Sequence, residues 1–167
     1  GANGDFKFTV PYEIAPETVF ANGYEFPVVK DSDNALTADG QNIAINKNAH
    51  KIAFLCASLT KDKTADFLVD GNKVKVKVYS CFERFAAWDL YDFGETAYMK
   101  DGKIAYEATH THANRKDVPA KSMYFYIAEL DVSGANSVTL PTDNDIVILS
   151  ACTLNYGGAV SAFPAYD

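Results

Sequence analysis

Asp70-Gly71 stands between two runs, residues 64–69 and 73–78, in which apolar and polar side chains alternate. That alternation is the period of an extended strand with one face buried. A two-residue link between such strands needs positive φ at both central positions, and Asp-Gly meets that demand better than almost any other pair. The chain is therefore committed to an antiparallel hairpin at this point, and neighbouring segments must offer it a sheet to join.

They do. Residues 6–10 alternate and stop at Pro11, as a first strand would, and residues 41–45 read as a short strand. Residues 52–57, Ile-Ala-Phe-Leu-Cys-Ala, are apolar on both faces, which suits a central strand covered on both sides. Residues 121–132 form a long strand with Met123, Phe125 and Ile127 on one face and Tyr124, Tyr126 and Ala128 on the other. Residues 133–136 turn, 138–140 are a short strand, and 145–154 are a last core strand. Between these, residues 11–39 read as an irregular excursion whose Tyr12, Phe20, Tyr24 and Phe26 call for burial. Residues 80–95 break the pattern, 98–102 are a turn, 114–120 are a polar loop, and 156–167 are a docked tail. No helical periodicity persists beyond two turns. Many short strands with turn signals between them predict an all-β chain folded as one antiparallel β-sandwich over residues 1–167.

Composition agrees, with 11 Phe and 10 Tyr in 167 residues, a bias toward strands. The formal net charge of −7 argues against a nucleic-acid partner, which needs clustered Lys and Arg. Lys73, Lys75 and Lys77 alternate with valines and read as the solvated face of a strand. No apolar run approaches the ~20 residues of a membrane span, so no membrane partner is expected. Gly1-Ala2-Asn3-Gly4 lacks the charged and apolar regions of a signal peptide. It reads as a cloning remnant or a cut inside a longer protein, and it assigns no compartment. Cys56, Cys81 and Cys152 cannot all pair within one chain, and no disulfide is expected.

For chemistry, the eye goes to residues 104–112, Ile-Ala-Tyr-Glu-Ala-Thr-His-Thr-His. In one continuous strand Tyr106, Ala108, His110 and His112 would share a face. Two imidazoles and a phenol aimed one way can bind a ligand, or can simply tie strands together. His110 and His112 could also ligate a metal if Asp89 or Glu107 joined them, but two histidines without a further assigned ligand do not make a site, so no metal is assigned. Residues 84–89 add Arg84, the single tryptophan Trp88, and Asp89. An aromatic platform with a few convergent polar groups is what a sugar ring needs, so Arg84, Trp88, Asp89, Tyr106, His110 and His112 are the candidate carbohydrate-binding residues. A tryptophan between two sheets is the plainer assignment for Trp88. Nucleotide cofactors are not expected: there is no G-x-G-x-x-G and no phosphate loop ending in Lys-Ser/Thr. No G-x-S-x-G elbow marks a serine hydrolase, and with 22 acidic residues spacing alone selects no glycosidase pair. No catalytic residue and no cofactor are assigned.

Several segments occur in an order that resembles a β-sandwich domain attached to family 38 glycoside hydrolases, the α-mannosidases and their relatives. Phe-Thr-Val-Pro-Tyr within residues 6–12 resembles its opening strand, Gly23-Tyr24-Glu25-Phe26-Pro27 its aromatic-Pro segment, and residues 40–45 and 51–58 its Gly-Gln and central strands. Residues 65–71 resemble its hairpin, Ala87-Trp88-Asp89 its Gln-Trp-Asp, without the Gln, and Thr109-His110-Thr111-His112 its Thr-His-x-His. Residues 124–126, 137–141 and 146–151 resemble its closing strands. The resemblance implies a jelly-roll or galactose-binding-like accessory module. Such a module would dock on an adjoining catalytic domain, bind carbohydrate, or do both. Nothing matches that family's catalytic domain. Two other roles follow from the residues: a small glycoside hydrolase or metal-dependent enzyme built on His110, His112 and an acid, and a purely structural interaction domain.

Overall fold

The computed structural model describes residues 8–9, 11, 13–30, 34–83, 86–88, 97–113, 116–119, 121–158 and 160–164; of residues 8–9, 86–88, 97–99, 113 and 160–164 only the backbone is considered. Every regular element among them is a strand. In chain order they are β1 Phe8–Thr9, β2 Thr18–Ala21, β3 Tyr24–Pro27, β4 Leu36–Asp39, β5 Asn42–Ala44 and β6 Ala49–Ser58. There follow β7 Lys63–Val69, β8 Asn72–Val78, β9 Ala86–Trp88, β10 Ala97–Met99, β11 Ile104–Ala108 and β12 Thr111–Ala113. The last are β13 Lys116–Val118, β14 Met123–Asp131, β15 Ser137–Thr139, β16 Thr142–Asn155 and β17 Val160–Pro164. Among the described residues there is no helix long and apolar enough to cross a membrane.

Two sheets make the sandwich. The larger runs β11-β14-β6-β16-β17, with β4 also paired to β16; the smaller runs β5-β15-β7-β8. All of the strand pairings within them are antiparallel. Ile52, Phe54 and Cys56 of β6 point into the layer between the sheets, where they meet Phe67 of β7, Val138 of β15 and Leu130 of β14. Ala53, Leu55 and Ala57 point the other way and pack with Phe125, Leu149, Tyr24 and Phe26. The central strand is thus covered on both sides, as its doubly apolar run requires. Its second cover is the β2–β3 hairpin.

The Asp70-Gly71 link is a tight turn with φ of 47° and 80°, and it joins β7 to β8 in register from Val69–Asn72 to Lys63–Val78. The Asp70 carboxylate also accepts from the backbone N–H groups of Asn136 and Ser137, at 3.0 and 2.9 Å, which locks the turn to the start of β15. Lys73, Lys75 and Lys77 are exposed, and all three cysteines are buried and free. Burial pushes the Cys56 and Cys81 thiols up to about 12, so neither is a nucleophile near neutrality.

Five expectations need correction. Residues 98–99, read as part of a turn, lie in β10. The excursion at 11–39 is not irregular throughout: Asn22-Gly23, with φ of 53° and 81°, closes the β2–β3 hairpin, and residues 36–39 form β4. Tyr24 and Phe26 are buried, but Phe20 is 72% exposed because it lies on the outer face of β2; Tyr12 lies outside the described residues. The loop at 114–120 contains β13. Residues 104–112 are not one strand. β11 ends at Ala108 and stays on the large sheet beside β14, whereas β12 begins at Thr111 and joins a separate three-stranded sheet, β1-β12-β13.

Candidate functional site

The break after Ala108 is what builds the site. His110 sits in the link between β11 and β12, and His112 sits inside β12, where it is opposite Thr9 on one side and Asp117 on the other. Directly opposed residues in an antiparallel ladder project to the same face, and His112 Nε2 lies 3.0 Å from Asp117 Oδ1. From the other direction comes Glu13, in the turn that precedes β2. Its Oε1 lies 2.8 Å from His112 Nε2 and 3.4 Å from His110 Nε2. The two imidazole rings are tilted by 49° with centroids 5.3 Å apart. One donor atom from each of Glu13, His110, His112 and Asp117 thus falls within 4.8 Å of the others, a set able to hold a metal ion.

The geometry is tight yet incompletely bonded. His112 Nε2 is buried between two carboxylate oxygens at 2.8 and 3.0 Å, and its N–H is poorly aligned with both. Thr111 Oγ1 and the Tyr106 hydroxyl are also buried without a hydrogen-bond partner. Tyr106 stacks on Phe125 at 6.2 Å. Its phenol is pushed above the ordinary tyrosine range by burial and then by the Glu13 charge, which places the hydroxyl in the field of the cluster. Glu13 is held below the usual carboxylate range, first by its own backbone N–H and further by the His112 charge. The histidine side chains are about four-fifths covered, Glu13 is 43% exposed and Asp117 71%, so the cluster opens to solvent on its acidic side.

Of the six candidate residues, the fold brings Tyr106, His110 and His112 together. Arg84 and Asp89 lie outside the described residues. Trp88 is described by backbone alone, in β9 opposite Ala97. Glu107 is not a member of the cluster; the acids that reach the imidazoles are Glu13 and Asp117. Asp117 could have been found from the sequence only by pairing residue 113 with 116 in an antiparallel hairpin, which sets 117 opposite His112. Glu13 has no such signal, because only the fold brings it to the histidines.

A second polar cluster went unremarked in the sequence. The Lys100 side chain is 1% exposed, bound to Asp62 at 2.6 Å and Glu83 at 2.9 Å, with the rings of Tyr79 and Tyr126 5.4 and 5.6 Å from its ammonium. Asp62 also accepts from the Ser80 N–H at 2.7 Å, Tyr126 donates to the Glu83 carbonyl, and Tyr79 donates to Asp101. Two hollows of about 310 and 300 Å³ flank Tyr79, one beside Asp62 and Lys77 and the other beside Asp101 and Glu129. Neither reaches the histidines.

No curated protein matches the chain. A family model described as the AziU2-like beta-sandwich domain matches residues 1–156, with no glycoside hydrolase in its description. The two packed antiparallel sheets are the architecture that this description names, and the chain belongs to the AziU2-like β-sandwich domain family.

Proposed function

We propose that this domain is a non-catalytic recognition module whose ligand is a hydroxyl-rich molecule of the carbohydrate class, bound at the open edge formed by Glu13, Tyr106, His110, His112 and Asp117. The observation that carries this is the convergence of two imidazoles and two carboxylates, from three separate segments, around polar atoms that the protein leaves without hydrogen bonds. Buried polar groups ordinarily find partners inside the fold, and vicinal hydroxyls supply the donors and acceptors that these groups lack. A binding role suits the site better than hydrolysis. The approaching oxygens of Glu13 and Asp117 lie within 4.8 Å of each other and share one histidine. A glycosidase pair instead flanks its substrate from two sides rather than meeting on one imidazole.

We propose further that the module is an accessory domain of an α-mannosidase-like glycoside hydrolase, a role supported by the order of the resembling segments. A docking role beside the catalytic domain has its own support. Ile14, next to Glu13, is 44% exposed, and Phe20 on β2 is 72% exposed, which leaves apolar side chains uncovered.

Titration of the isotopically labelled domain with manno- and galacto-oligosaccharides, followed by amide shifts, tests the binding role. Shifts at 106–113 and 13–14 that weaken at least tenfold in His112→Ala are expected. Shifts confined to the hollows beside Tyr79, or none with any glycan, overturn it. Docking is tested by titrating a flanking catalytic domain with the wild type and with Phe20→Ser; equal affinity overturns that role.

A further inference from the structure

We infer that Glu13, His110, His112 and Asp117 form a binding site for one divalent transition-metal ion of the zinc class. The site coincides with the recognition edge proposed above, but the inference needs no sugar. It rests on three features of the cluster.

The first is donor chemistry. Two imidazole nitrogens with two carboxylate oxygens suit borderline ions such as zinc, whereas calcium and magnesium prefer oxygen alone. The two carboxylates bring negative charge to the site, which a divalent ion balances. All three cysteines are buried in free form and take no part.

The second is spacing. Ligand atoms bonded to zinc at ~2.0–2.1 Å in tetrahedral array are separated by roughly 3.3 Å. Three of the six separations are 3.4 Å for His110–Glu13, 3.0 Å for His112–Asp117 and 2.8 Å for His112–Glu13, within about half an ångström of that spacing. All six lie within 4.8 Å, so a modest closing of the side chains would seat an ion.

The third is direction. A histidine paired to a carboxylate aims its N–H at an oxygen. His112 Nε2 has two oxygens at pairing distance and its N–H lies in good line with neither. Ligands of a shared ion behave in this way, because each points at the ion and flanks the others. His112 is also the residue best fixed by backbone, held between Thr9 and Asp117 in the three-stranded sheet, so the ligand direction is set by the fold rather than by a mobile side chain.

The test uses the tag-free, full-length chain, stripped with chelator and then titrated with zinc chloride alone, with bound zinc read by equilibrium dialysis and elemental analysis. One equivalent per chain is expected. His112→Ala, His110→Ala and Glu13→Gln should each lower affinity on the order of 100-fold or more, since even loss of a group behind a ligand costs 10–100-fold. His50→Ala, which removes the one histidine outside the cluster, should leave it unchanged. If His112→Ala fails to fold by circular dichroism, Glu13→Gln carries the test, because an exposed side chain is altered without loss of volume. No saturable binding by the wild type overturns the inference, as does binding that Glu13→Gln and His112→Ala both leave intact or that His50→Ala abolishes. Zinc binding without glycan binding would sink the recognition role alone; glycan binding to chelator-stripped protein that takes up no zinc would sink only the metal site.

Discussion

Lys100 and His112 are both polar groups taken out of water and set between two carboxylates, and the fold treats them in opposite ways. Around Lys100 each group has a use: Asp62 and Glu83 pair with its ammonium, two tyrosine rings face its charge, the Ser80 N–H donates to Asp62 and the Tyr126 hydroxyl donates to the Glu83 carbonyl. Around His112 the same kinds of groups come nearly as close, yet the nitrogen is poorly aligned with both carboxylates and the Tyr106 hydroxyl has no partner. Leaving such groups unpaired costs stability. A completed network explains itself as structure. An incomplete one at an open edge points to something outside the chain that completes it.

The comparison breaks first at Lys100. Removing both of its partners, Asp62→Ala with Glu83→Ala, leaves a buried ammonium with only ring faces, and should lower unfolding free energy by ~3–5 kcal/mol in urea titration. A loss below 1 kcal/mol would mean that the ammonium reaches water and that the two clusters do not differ as described. The next effect comes from Gly102, against which the Tyr79 ring lies so closely that an added Cβ would fall 2.2 Å from Cε2 and 2.6 Å from Cδ2. Gly102→Ala must push that ring off its position over the Lys100 network, and a loss of ~1–3 kcal/mol is expected by thermal melting. An unchanged melting temperature would show that the network has slack.

Acid sharpens the contrast. Asp101 is held below the ordinary carboxylate range chiefly by the Tyr79 hydroxyl and then by Lys77, and Glu13 chiefly by its own backbone N–H. A carboxyl whose folded pKa is depressed stabilises the protein above its unfolded pKa, near 4, and loses that contribution as pH falls through the folded value. Stability should therefore hold steady from pH 7 to about 5 and decline below about 4. Asp101→Asn should make that decline shallower; an acid limb identical to the wild type would remove Asp101 from the network. The smallest effect belongs to His112→Ala in chelator-stripped protein. The imidazole is about four-fifths covered, so its packing is lost, but removing a poorly aligned buried nitrogen offsets part of that loss and the net change should stay within about 1 kcal/mol. A loss above ~1 kcal/mol would make the histidine cluster structural, like the first.

The fold was legible where sequence and backbone speak directly. Asp70-Gly71 names its own turn, the run at 52–57 its own two-sided burial, and the alternation at 123–128 its two faces. Asn22-Gly23 carried the same signal as Asp70-Gly71 and was obscured by the prolines around it, which made residues 11–39 look irregular. The strand through 104–112 misled because alternation continues across a break: nothing in Ala108-Thr109-His110 marks where the backbone leaves one sheet for another. Of the candidate cluster, the closeness of His110 and His112 was visible in the sequence, although the single strand that the spacing suggested is broken after Ala108. The acids were not, since Glu13 is distant in sequence and one of 22 acidic residues. Lys100 was invisible for the same reason: burial of a lysine is decided by what folds over it.

The length and position of β16 carry a consequence for how the chain is made. Its fourteen residues are hydrogen-bonded to β4, β6 and β17, so it is the seam of the large sheet. A ribosome extrudes β6 long before β16, and until residues 142–155 emerge, the most apolar strand of the protein lacks one of its two neighbours. Such long-range pairing is slow, on the order of milliseconds to seconds for β topologies, and an unpaired apolar strand recruits other chains in the meantime. Nascent chains stalled before residue 142 should therefore be sticky and protease-sensitive, and the domain's yield in cells should be set by how promptly its last third is delivered.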